Sequence, residues 1–299
     1  MLARVRNAAA KLVWGVRVVG PARTAVGLAR LAVLRVRRSP EVVVPLRSGP
    51  VLGFTYPSQL VPALVVFGDY IDPEIPFLRE VARPDWVVLD VGAAIGQFSV
   101  LAAILPVAHV HAFEPSGDNI AALEANLARN RVAERVTVHQ VALSDSETET
   151  VFATSANPFL SRLDRPGGSG SHGETVPVRT LTGTVDGLGV ERVGCLKVNV
   201  AGFEAAVLAG AEDLLRRQAA DVLVILISEG AAAWFPRIAA LGYRFFFFHP
   251  GTRTLHELER LDDVPGHGRP WPARHLIGVS GPAVARGVLG DLAIVPAAS

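Results

Sequence analysis

Short apolar runs alternate with amphipathic stretches along most of this chain, and several of the runs end at a polar residue. The runs are rich in β-branched residues, which is typical of buried strands, and the stretches between them repeat apolar residues at helical spacing. Predicted strands lie at Val87–Val91, His109–Phe113, Arg135–Leu143, Thr175–Thr180, Gly194–Val198, Asp221–Ile227, Tyr243–Phe248 and Arg274–Val279. Predicted helices lie at Gln97–Leu105, Asn119–Arg129, Glu204–Leu215 and Ala231–Leu241. This alternation predicts an α/β fold with a doubly wound, mostly parallel sheet.

A polar turn follows the first predicted core strand. Asp90 lies near the end of Val87–Val91, and Gly92 and Gly96 follow before a helical pattern begins at Gln97. Glycine lets the backbone approach a ligand where a Cβ would collide, and the first N–H groups of the helix point to the same place. The arrangement is typical of nucleotide-binding α/β sheets. A Gly-x-x-x-Gly turn also serves simple packing, so the turn alone leaves both interpretations open.

The second predicted strand favours ligand binding because it also ends in an acid. His109–Phe113 runs into Glu114, and Pro115 stops the strand. An acid at this strand tip is well placed to accept hydrogen bonds from the hydroxyls of a ribose. We expect Asp90 and Glu114 side by side at the carboxyl edge of the sheet. Nucleoside binding is therefore the favoured hypothesis.

A third polar strand tip lies at Ser144-Asp145, after the alternating run Arg135–Leu143. Asp145 can accept a hydrogen bond from an adenine amino group, and ordinary turn chemistry explains the same residues equally well. A short strand is predicted at Thr148–Ala153, and residues 155–174 are then rich in Ser, Gly, Asn and Pro. A loop of this length is either functional or disordered. It would suit a mobile lid carrying His172, although a lone loop histidine is usually just solvated.

The stretch from Gly194 to Glu204 reads as a buried strand, a glycine turn and the start of a helix. Lys197 and Asn199 alternate onto one face, so both side chains can project towards the same edge of the sheet. Glu204 falls in the first helical turn, where a carboxylate also interacts favourably with the helix dipole. The histidines on predicted strands are expected to be core or edge residues: His109, His111 and His139.

The first 40 residues are basic, with no acid before Glu41. No uncharged run approaches the roughly 18–20 residues of a membrane-spanning helix, and arginines interrupt any signal-peptide core. We predict two short basic helices, broken at Gly20-Pro21, that rest on an anionic membrane surface. The alternative is a solvated leader packing loosely on the domain. Residues 41–84 follow as a cap segment with a hairpin of Glu41–Leu46 and Val51–Tyr56.

Composition narrows the class of protein. Half of the 299 residues are hydrophobic, enough for one large core, and the net charge of +1 gives no global reason to expect nucleic-acid binding. The single cysteine, Cys195, cannot form an intramolecular disulfide, which fits a reducing compartment. Excess Arg over Lys with abundant Ala, Gly and Val suggests a GC-rich bacterial genome. The sequence has no Cys/His zinc pattern, so no metal site is predicted.

Four motifs follow one another along the chain: Asp90-Val-Gly-Ala-x-Ile-Gly96, Ala112-Phe-Glu-Pro115, Ala142-Leu-Ser-Asp145 and Leu196-Lys-Val-x-Val-x-Gly-Phe-Glu204. In type and order they resemble the motifs of the FkbM-type methyltransferases, a Rossmann-like class I family that depends on S-adenosylmethionine. The resemblance covers roughly 68–279 and implies a seven-stranded sheet with helices on both faces. The expected domains are a basic helical leader at 1–40, a cap segment at 41–84, a methyltransferase domain at 85–281 and a tail at 282–299.

The resemblance also implies site residues. The positions expected to hold S-adenosylmethionine are Asp90, Gly92, Ala93 and Gly96 at its methionine end, Glu114 and Pro115 at the ribose, and Ser144 and Asp145 at the adenine. The catalytic candidates are Lys197, Asn199, Glu204 and His172. Four positions depart from the family pattern. The family often has Asn where this chain has Ala94, and acids are usual or frequent at Asn199, Ala201 and Leu226, with Glu229 three residues late. Asparagine cannot take a proton or bind a cation strongly.

The leading hypothesis is a cytoplasmic O-methyltransferase acting on a hydroxyl of a saccharide, glycolipid or polyketide-type acceptor, with peripheral contact to the inner face of the membrane through residues 1–40. An alcohol needs a nearby base, for which Lys197, Glu204 and His172 are the candidates. The alternative is a catalytically impaired cofactor-binding protein with a structural or regulatory role at a membrane. A dehydrogenase fits less well because the turn lacks a full Gly-x-Gly-x-x-Gly. No nucleic-acid partner is expected.

Overall fold

The computed structural model describes the central sheet and parts of the N-terminal region. The described residues are 13, 16, 20–37, 41–46, 48–55, 64–66, 68, 74–153, 162–163, 173–200, 202–249, 252–264 and 275–297, with the backbone alone at 151–153, 162–163 and 173. The proposed lid histidine, His172, and the family departure at Ala201 lie outside this part of the chain.

The elements of the described chain alternate as predicted. The strands are β1 (Glu41–Pro45), β2 (Val51–Thr55), β3 (Val87–Val91), β4 (His109–Phe113), β5 (Val136–His139), β6 (Ala142–Ser144), β7 (Thr148–Ala153), β8 (Arg162–Leu163), β9 (Gly173–Thr180), β10 (Val193–Val198), β11 (Ala220–Leu226), β12 (Tyr243–His249), β13 (Thr254–Leu258), β14 (His275–Ser280) and β15 (Ala293–Val295). The helices are α1 (Pro21–Arg37), α2 (Glu74–Val81), α3 (Gln97–Ile104), α4 (Gly117–Arg129), α5 (Leu181–Gly187), α6 (Glu204–Gly210), α7 (Glu212–Arg216), α8 (Ala231–Ala240) and α9 (Gly281–Ala285), with 3₁₀ turns at Ala133–Arg135 and Leu261–Asp263.

Nine strands form the main sheet, in the order β15-β13-β12-β14-β11-β10-β3-β4-β5. The strands from β5 to β11 in this order are parallel, and β14 lies antiparallel between β11 and β12. The predicted α/β class with a large, mostly parallel sheet is confirmed. Strands β13 and β15 extend the sheet beyond the seven strands that the family resemblance implies. Every residue of β10 is buried, as its apolar run predicts for a strand covered on both faces.

The predicted third strand, Arg135–Leu143, is wrong as a single element. The chain turns tightly after β5, where Val141 N donates to His139 O at 3.0 Å. Strand β6 therefore leaves the main sheet and pairs with β9 in a second sheet of order β6-β9-β7-β8. The polar tip at Ser144-Asp145 thus follows a strand of this second sheet.

The predicted helix Glu204–Leu215 is also divided, into α6 and α7. Its break at Gly210 coincides with a close approach, because a Cβ on that glycine would lie 1.9 Å from Ser144 O. Only glycine admits the β6 carbonyl there. The chain after Gly281 was not predicted to contain regular structure, yet it forms α9 and β15, which pairs in parallel with β13.

The hairpin predicted in the cap segment is present as β1 and β2, paired from Glu41 with Thr55 to Pro45 with Val51. It docks on α4 through an amide side chain, because Gly53 N donates to Asn126 Oδ1 at 2.7 Å and Asn126 Nδ2 donates to Gly53 O at 3.2 Å. The cap segment therefore packs directly on the helix that follows β4. None of the helices in the described ranges has the length and hydropathy that a membrane crossing requires.

Candidate functional site

The turn between β3 and α3 has the unusual backbone that its glycines predict. Gly92 and Gly96 have φ values of +76° and +87°, and Ala94 between them has +49°. A Cβ on Gly92 would lie 2.0 Å from Asn199 O, so the turn presses against the end of β10. Only glycine satisfies both the left-handed conformation and this contact. The turn is thus a bare-backbone cradle at the carboxyl edge of the sheet.

A buried ion pair lies directly below this turn. Asp90 is fully buried and faces Lys197 across the β3–β10 register. Lys197 Nζ donates to Asp90 Oδ1 at 2.7 Å and to Gly92 O at 2.8 Å, and Ser99 Oγ donates to Asp90 Oδ2 at 2.6 Å. Lys197 therefore ties the cradle to β10. Its ammonium is directed at these two partners, which does not suit the role of general base.

Glu114 follows β4 beside this pair and is also buried. Its Oε2 accepts from Ala94 N at 2.8 Å, while Oε1 accepts from Ser116 N at 3.1 Å and from Asn119 Nδ2 at 3.0 Å. A carboxylate has about four lone-pair sites, so one further donor can be accepted, at Oε2. Burial raises the pKa of Glu114, and these hydrogen bonds and the charge of Lys197 partly oppose the rise. Pro115 follows, half-buried.

Glu204 supports the loop after β10 and does not face an open space. It is fully buried, and its Oε1 accepts from Val200 N at 2.9 Å while Oε2 accepts from Gly202 N at 3.1 Å. These backbone donors hold its carboxylate against the loop at the start of α6. The helix-terminus interpretation of Glu204 therefore fits the geometry better than that of a general base.

Asn199 contacts a residue that the sequence analysis did not select. Asn199 N donates to Val91 O at 3.0 Å, which continues the β10–β3 ladder. Its side-chain Nδ2 lies 3.3 Å from His275 Nε2 at the start of β14. His275 is 5% exposed. Strand β14 is antiparallel and begins at the carboxyl edge, so its first residue lies beside the ends of the parallel strands.

Ser144 and Asp145, the residues expected at the adenine, form a hydrogen bond with each other. Ser144 is half-buried, Asp145 is exposed, and Ser144 Oγ lies 3.3 Å from Asp145 Oδ1. Glu174 on β9 contacts the start of α4 instead, because its Oε2 accepts from Gly117 N at 3.1 Å and its Oε1 accepts from Gln140 Nε2 at 2.7 Å. The assignment of Asp145 to adenine stays a prediction.

Three histidines form a separate cluster on β4 and β5. His111 Nδ1 lies 3.0 Å from His139 Nε2, and the rings of His109 and His111 meet edge to face. Burial, together with the neighbouring histidines, lowers the pKa of His111 to about 4. Within the described ranges no group of three or more His, Cys, Asp or Glu residues has a metal-binding arrangement.

This chain matches a known protein family and is similar to several known proteins. The methyltransferase FkbM domain matches residues 90–245, more than half of the chain. The 31-O-demethyl-FK506 methyltransferase FkbM of Streptomyces tacrolimicus is 36% identical over 162 residues, covering 44% of this chain and 61% of that protein. The AMB antimetabolite synthetase AmbE of Pseudomonas aeruginosa is 34% identical over 170 residues, covering 44% of this chain and 8% of that protein.

Among solved structures, the methyltransferase FkbM of Methylobacillus flagellatus KT aligns with a TM-score of 0.45 and 16% identity, covering 74% of this chain and 54% of that one. The chain spans less than two thirds of the length of each of these three relatives.

Proposed function

This chain belongs to the methyltransferase FkbM family, and on that premise we propose that it is an S-adenosylmethionine-dependent O-methyltransferase. The observation that carries the proposal is the pair of buried acids, Asp90 and Glu114, at the tips of neighbouring parallel strands on either side of a bare-backbone turn. Ligands of open α/β sheets bind at this edge. The sulfonium of the bound cofactor supplies an activated methyl group.

The residues at the turn fit such a cofactor. Glu114 Oε2 keeps one acceptor site for a ribose hydroxyl, and glycines at 92 and 96 let the left-handed turn pack closely against Asn199 O and Leu123. Asp90 and Lys197 hold this turn in place through the carbonyl of Gly92. Transfer to an oxygen depends largely on alignment, which a turn fixed by a buried ion pair favours.

A hydroxyl is the proposed methyl acceptor, carried by a saccharide, glycolipid or polyketide-type molecule. The name of the Streptomyces relative specifies an O-demethyl acceptor, which supports oxygen as the atom methylated. The second candidate is a cofactor-binding protein without turnover. It is favoured by the observation that Lys197 and Glu204 are both engaged within the protein. The family resemblance adds that an acid is expected where this chain has Asn199.

Calorimetric titration with S-adenosylhomocysteine tests the cofactor site. We expect micromolar binding by the wild-type protein. Glu114→Gln should weaken binding about tenfold or more, since a hydrogen bond to a charged acceptor contributes about 1.5–3 kcal/mol. Asp221→Asn is the matched control, because it changes a buried acid at the opposite edge of the sheet and should leave the dissociation constant unchanged. No binding by folded wild-type protein would overturn the proposal.

Turnover then separates the two candidate functions. Radiolabelled S-adenosylmethionine is incubated with a panel of free glycans, glycolipids and hydroxylated polyketides, and label transfer is counted. Transfer to any hydroxyl supports the enzyme. Cofactor binding without transfer across the whole panel favours the non-catalytic candidate.

We also propose that α1 contacts an anionic membrane surface. Its buried residues are Thr24, Gly27 and Leu31. Val26 and Val33 are 69% and 48% exposed and lie on the opposite side of a helix with 3.6 residues per turn. Exposed Arg23, Arg30 and Arg37 lie along one side of this apolar face, where Arg30 also donates to Val43 O at 2.8 Å. The helix contains no acid, and an apolar face beside a row of cations suits the headgroup region of anionic lipids.

Vesicle co-sedimentation tests the membrane contact. The full chain should sediment with phosphatidylcholine vesicles that contain phosphatidylserine and remain unbound to phosphatidylcholine alone. Val26→Ser with Val33→Ser should reduce binding about tenfold. Ile294→Ser with Val295→Ser on β15, where the side chains are 38% and 41% exposed, is the control and should bind like wild type. Equal binding by the two double variants would contradict the role of α1.

A further inference from the structure

Three neighbouring strands place one row of side chains at the carboxyl edge. Asn199 follows Val198, which pairs with Ile225 of β11, and the next residue of β11, Leu226, pairs with His275 of β14. Side chains alternate along strands, so Asn199, Leu226 and His275 share the face that carries Asp90 and Lys197. Leu226 brings no polar group to this row, and the polar residues on either side of it meet each other.

The contact between them is an amide–imidazole hydrogen bond. Asn199 Nδ2 and His275 Nε2 are 3.3 Å apart, at the long end of the range for such bonds, so an incoming group can replace it readily. Asn199 is half-buried, whereas His275 is buried. Asn199 O also lies against Gly92, as the 2.0 Å approach of a Cβ there indicates. The imidazole is therefore linked through one residue to the cradle.

This imidazole is better placed to take a proton than the side chains selected from the sequence. Lys197 Nζ contacts Asp90 and Gly92 O, and the carboxylate of Glu204 accepts backbone N–H groups of its own loop. An amide such as that of Asn199 has no proton-accepting chemistry near neutral pH. A neutral imidazole does, and it is the commonest general base in proteins.

We propose that His275 is the general base of the methyl transfer, with Asn199 as the residue that orients it; this rests on the proposed function. The acceptor hydroxyl replaces the Asn199 amide as the donor to His275 Nε2. The hydroxyl proton passes to Nε2 as the oxygen bonds to the methyl carbon, and the carbon–sulfur bond breaks with its electron pair remaining on sulfur. The imidazolium then returns the proton to water.

The tautomer of His275 tests this assignment without an acceptor. A long-range ¹H–¹⁵N spectrum of labelled full-length protein reports which ring nitrogen carries the proton, and His275→Gln identifies the signal among the eight histidines. We expect Nδ1 protonated and Nε2 bare at neutral pH, with Asn199 Nδ2 as donor. An Nε2–H that donates to Asn199 Oδ1 would overturn the proposal. Asn199→Asp is the internal control, because a carboxylate accepts only and should shift the proton to Nε2.

Binding and rescue distinguish failure of this inference from failure of the proposed function. His275→Gln should bind S-adenosylhomocysteine within about twofold of wild type, while transfer to an acceptor found in the panel falls about 10²–10⁴-fold. Free imidazole should restore part of the transfer by His275→Ala, which a purely structural histidine would not allow. Transfer by His275→Gln at the wild-type rate would refute the base. Absence of S-adenosylhomocysteine binding by the wild type would instead remove the proposed function.

Discussion

The central sheet buries an aspartate at each of its two edges, and the two are neutralised differently. At the carboxyl edge, Asp90 is paired with Lys197, whose side chain is only 8% exposed. At the amino edge, Asp221 accepts from Arg192 and Arg286, whose side chains are 45% and 41% exposed. Both aspartates have side chains that are almost wholly buried. The difference lies in whether the partner cation can reach water.

The two edges therefore differ in how far the cation beside the buried aspartate keeps its hydration. The arginines around Asp221 keep contact with solvent, and burial raises the pKa of Asp221 against the opposing charge of Arg192. Lys197 gives up most of its hydration to hold Asp90 and the Gly92 carbonyl. Burying both members of an ion pair contributes little net stability. The pair at the carboxyl edge fixes the turn between β3 and α3 through the Gly92 carbonyl, and the proposed function requires a fixed turn there.

The largest effect that this comparison predicts is on folding stability. Asp90→Asn leaves Lys197 as an unpaired buried cation and should lower the free energy of unfolding by about 3–5 kcal/mol. Asp221→Asn leaves arginines that can turn to water, so its cost should be about 1 kcal/mol. Urea denaturation followed by circular dichroism measures both. An equal loss of unfolding free energy in the two variants would remove the distinction between the edges.

A double variant sharpens the same comparison. Asp90→Asn with Lys197→Gln replaces the buried ion pair by two neutral amides of similar size, so much of the lost stability should return. Binding of S-adenosylhomocysteine should stay weak, because the carboxylate at the turn is still absent. Recovery of stability together with full binding would show that Asp90 serves the fold alone.

An intermediate effect is predicted at two glycines that share a left-handed backbone. Gly92 has φ of +76° and Gly189, before β10 at the amino edge, has +67°. A Cβ at Gly189 meets nothing within 4 Å, whereas one at Gly92 would lie 2.0 Å from Asn199 O. Gly189→Ala should therefore cost about 1 kcal/mol of unfolding free energy for the backbone alone. Gly92→Ala adds a clash, for about 2–4 kcal/mol in total.

Ligand binding separates these glycine variants further. Gly92→Ala should lose detectable binding of S-adenosylhomocysteine in calorimetry at a temperature where the variant is still folded. Gly189→Ala should bind like the wild type. Unchanged binding by Gly92→Ala would mean that the turn is a packing device, the alternative that its sequence leaves open.

The local pattern predicted the parallel strands β3 and β4 well, because each of them runs into an acid near a glycine or proline. Asp90 and Glu114 follow apolar runs directly, and both lie where the motifs place them. The break after His139 was not predictable, since a tight turn within an alternating run leaves the apolar pattern intact. Strand β6 joins another sheet only because β9, more than thirty residues later, offers it an edge.

The contacts of the site were harder to predict than its members. Lys197, Asn199 and Glu204 were selected by alternation and spacing, which say nothing about partners. Lys197 meets Asp90 from 107 residues away, and His275 meets Asn199 from 76 residues away. Such pairings follow from the strand order, which the local pattern leaves undetermined. The sequence does carry a signal for His275, which is a polar residue at the start of an apolar run. That signal points to the site only once β14 is known to run antiparallel to β11.

The smallest predicted effect is the pH dependence of binding at Glu114. Burial raises its pKa above the ordinary 4.5 of a glutamate, and the carboxylate is a stronger acceptor for a ribose hydroxyl than the protonated carboxyl. Affinity for S-adenosylhomocysteine should therefore fall as the pH is lowered through this raised pKa, beginning at a higher pH than an ordinary glutamate would show. Calorimetry between about pH 7.5 and pH 5 measures the change.

Glu114→Gln should bind weakly with little pH dependence, and His111, with a pKa of about 4, stays neutral over most of this range. A wild-type affinity that is constant over it would place the cofactor's ribose away from Glu114.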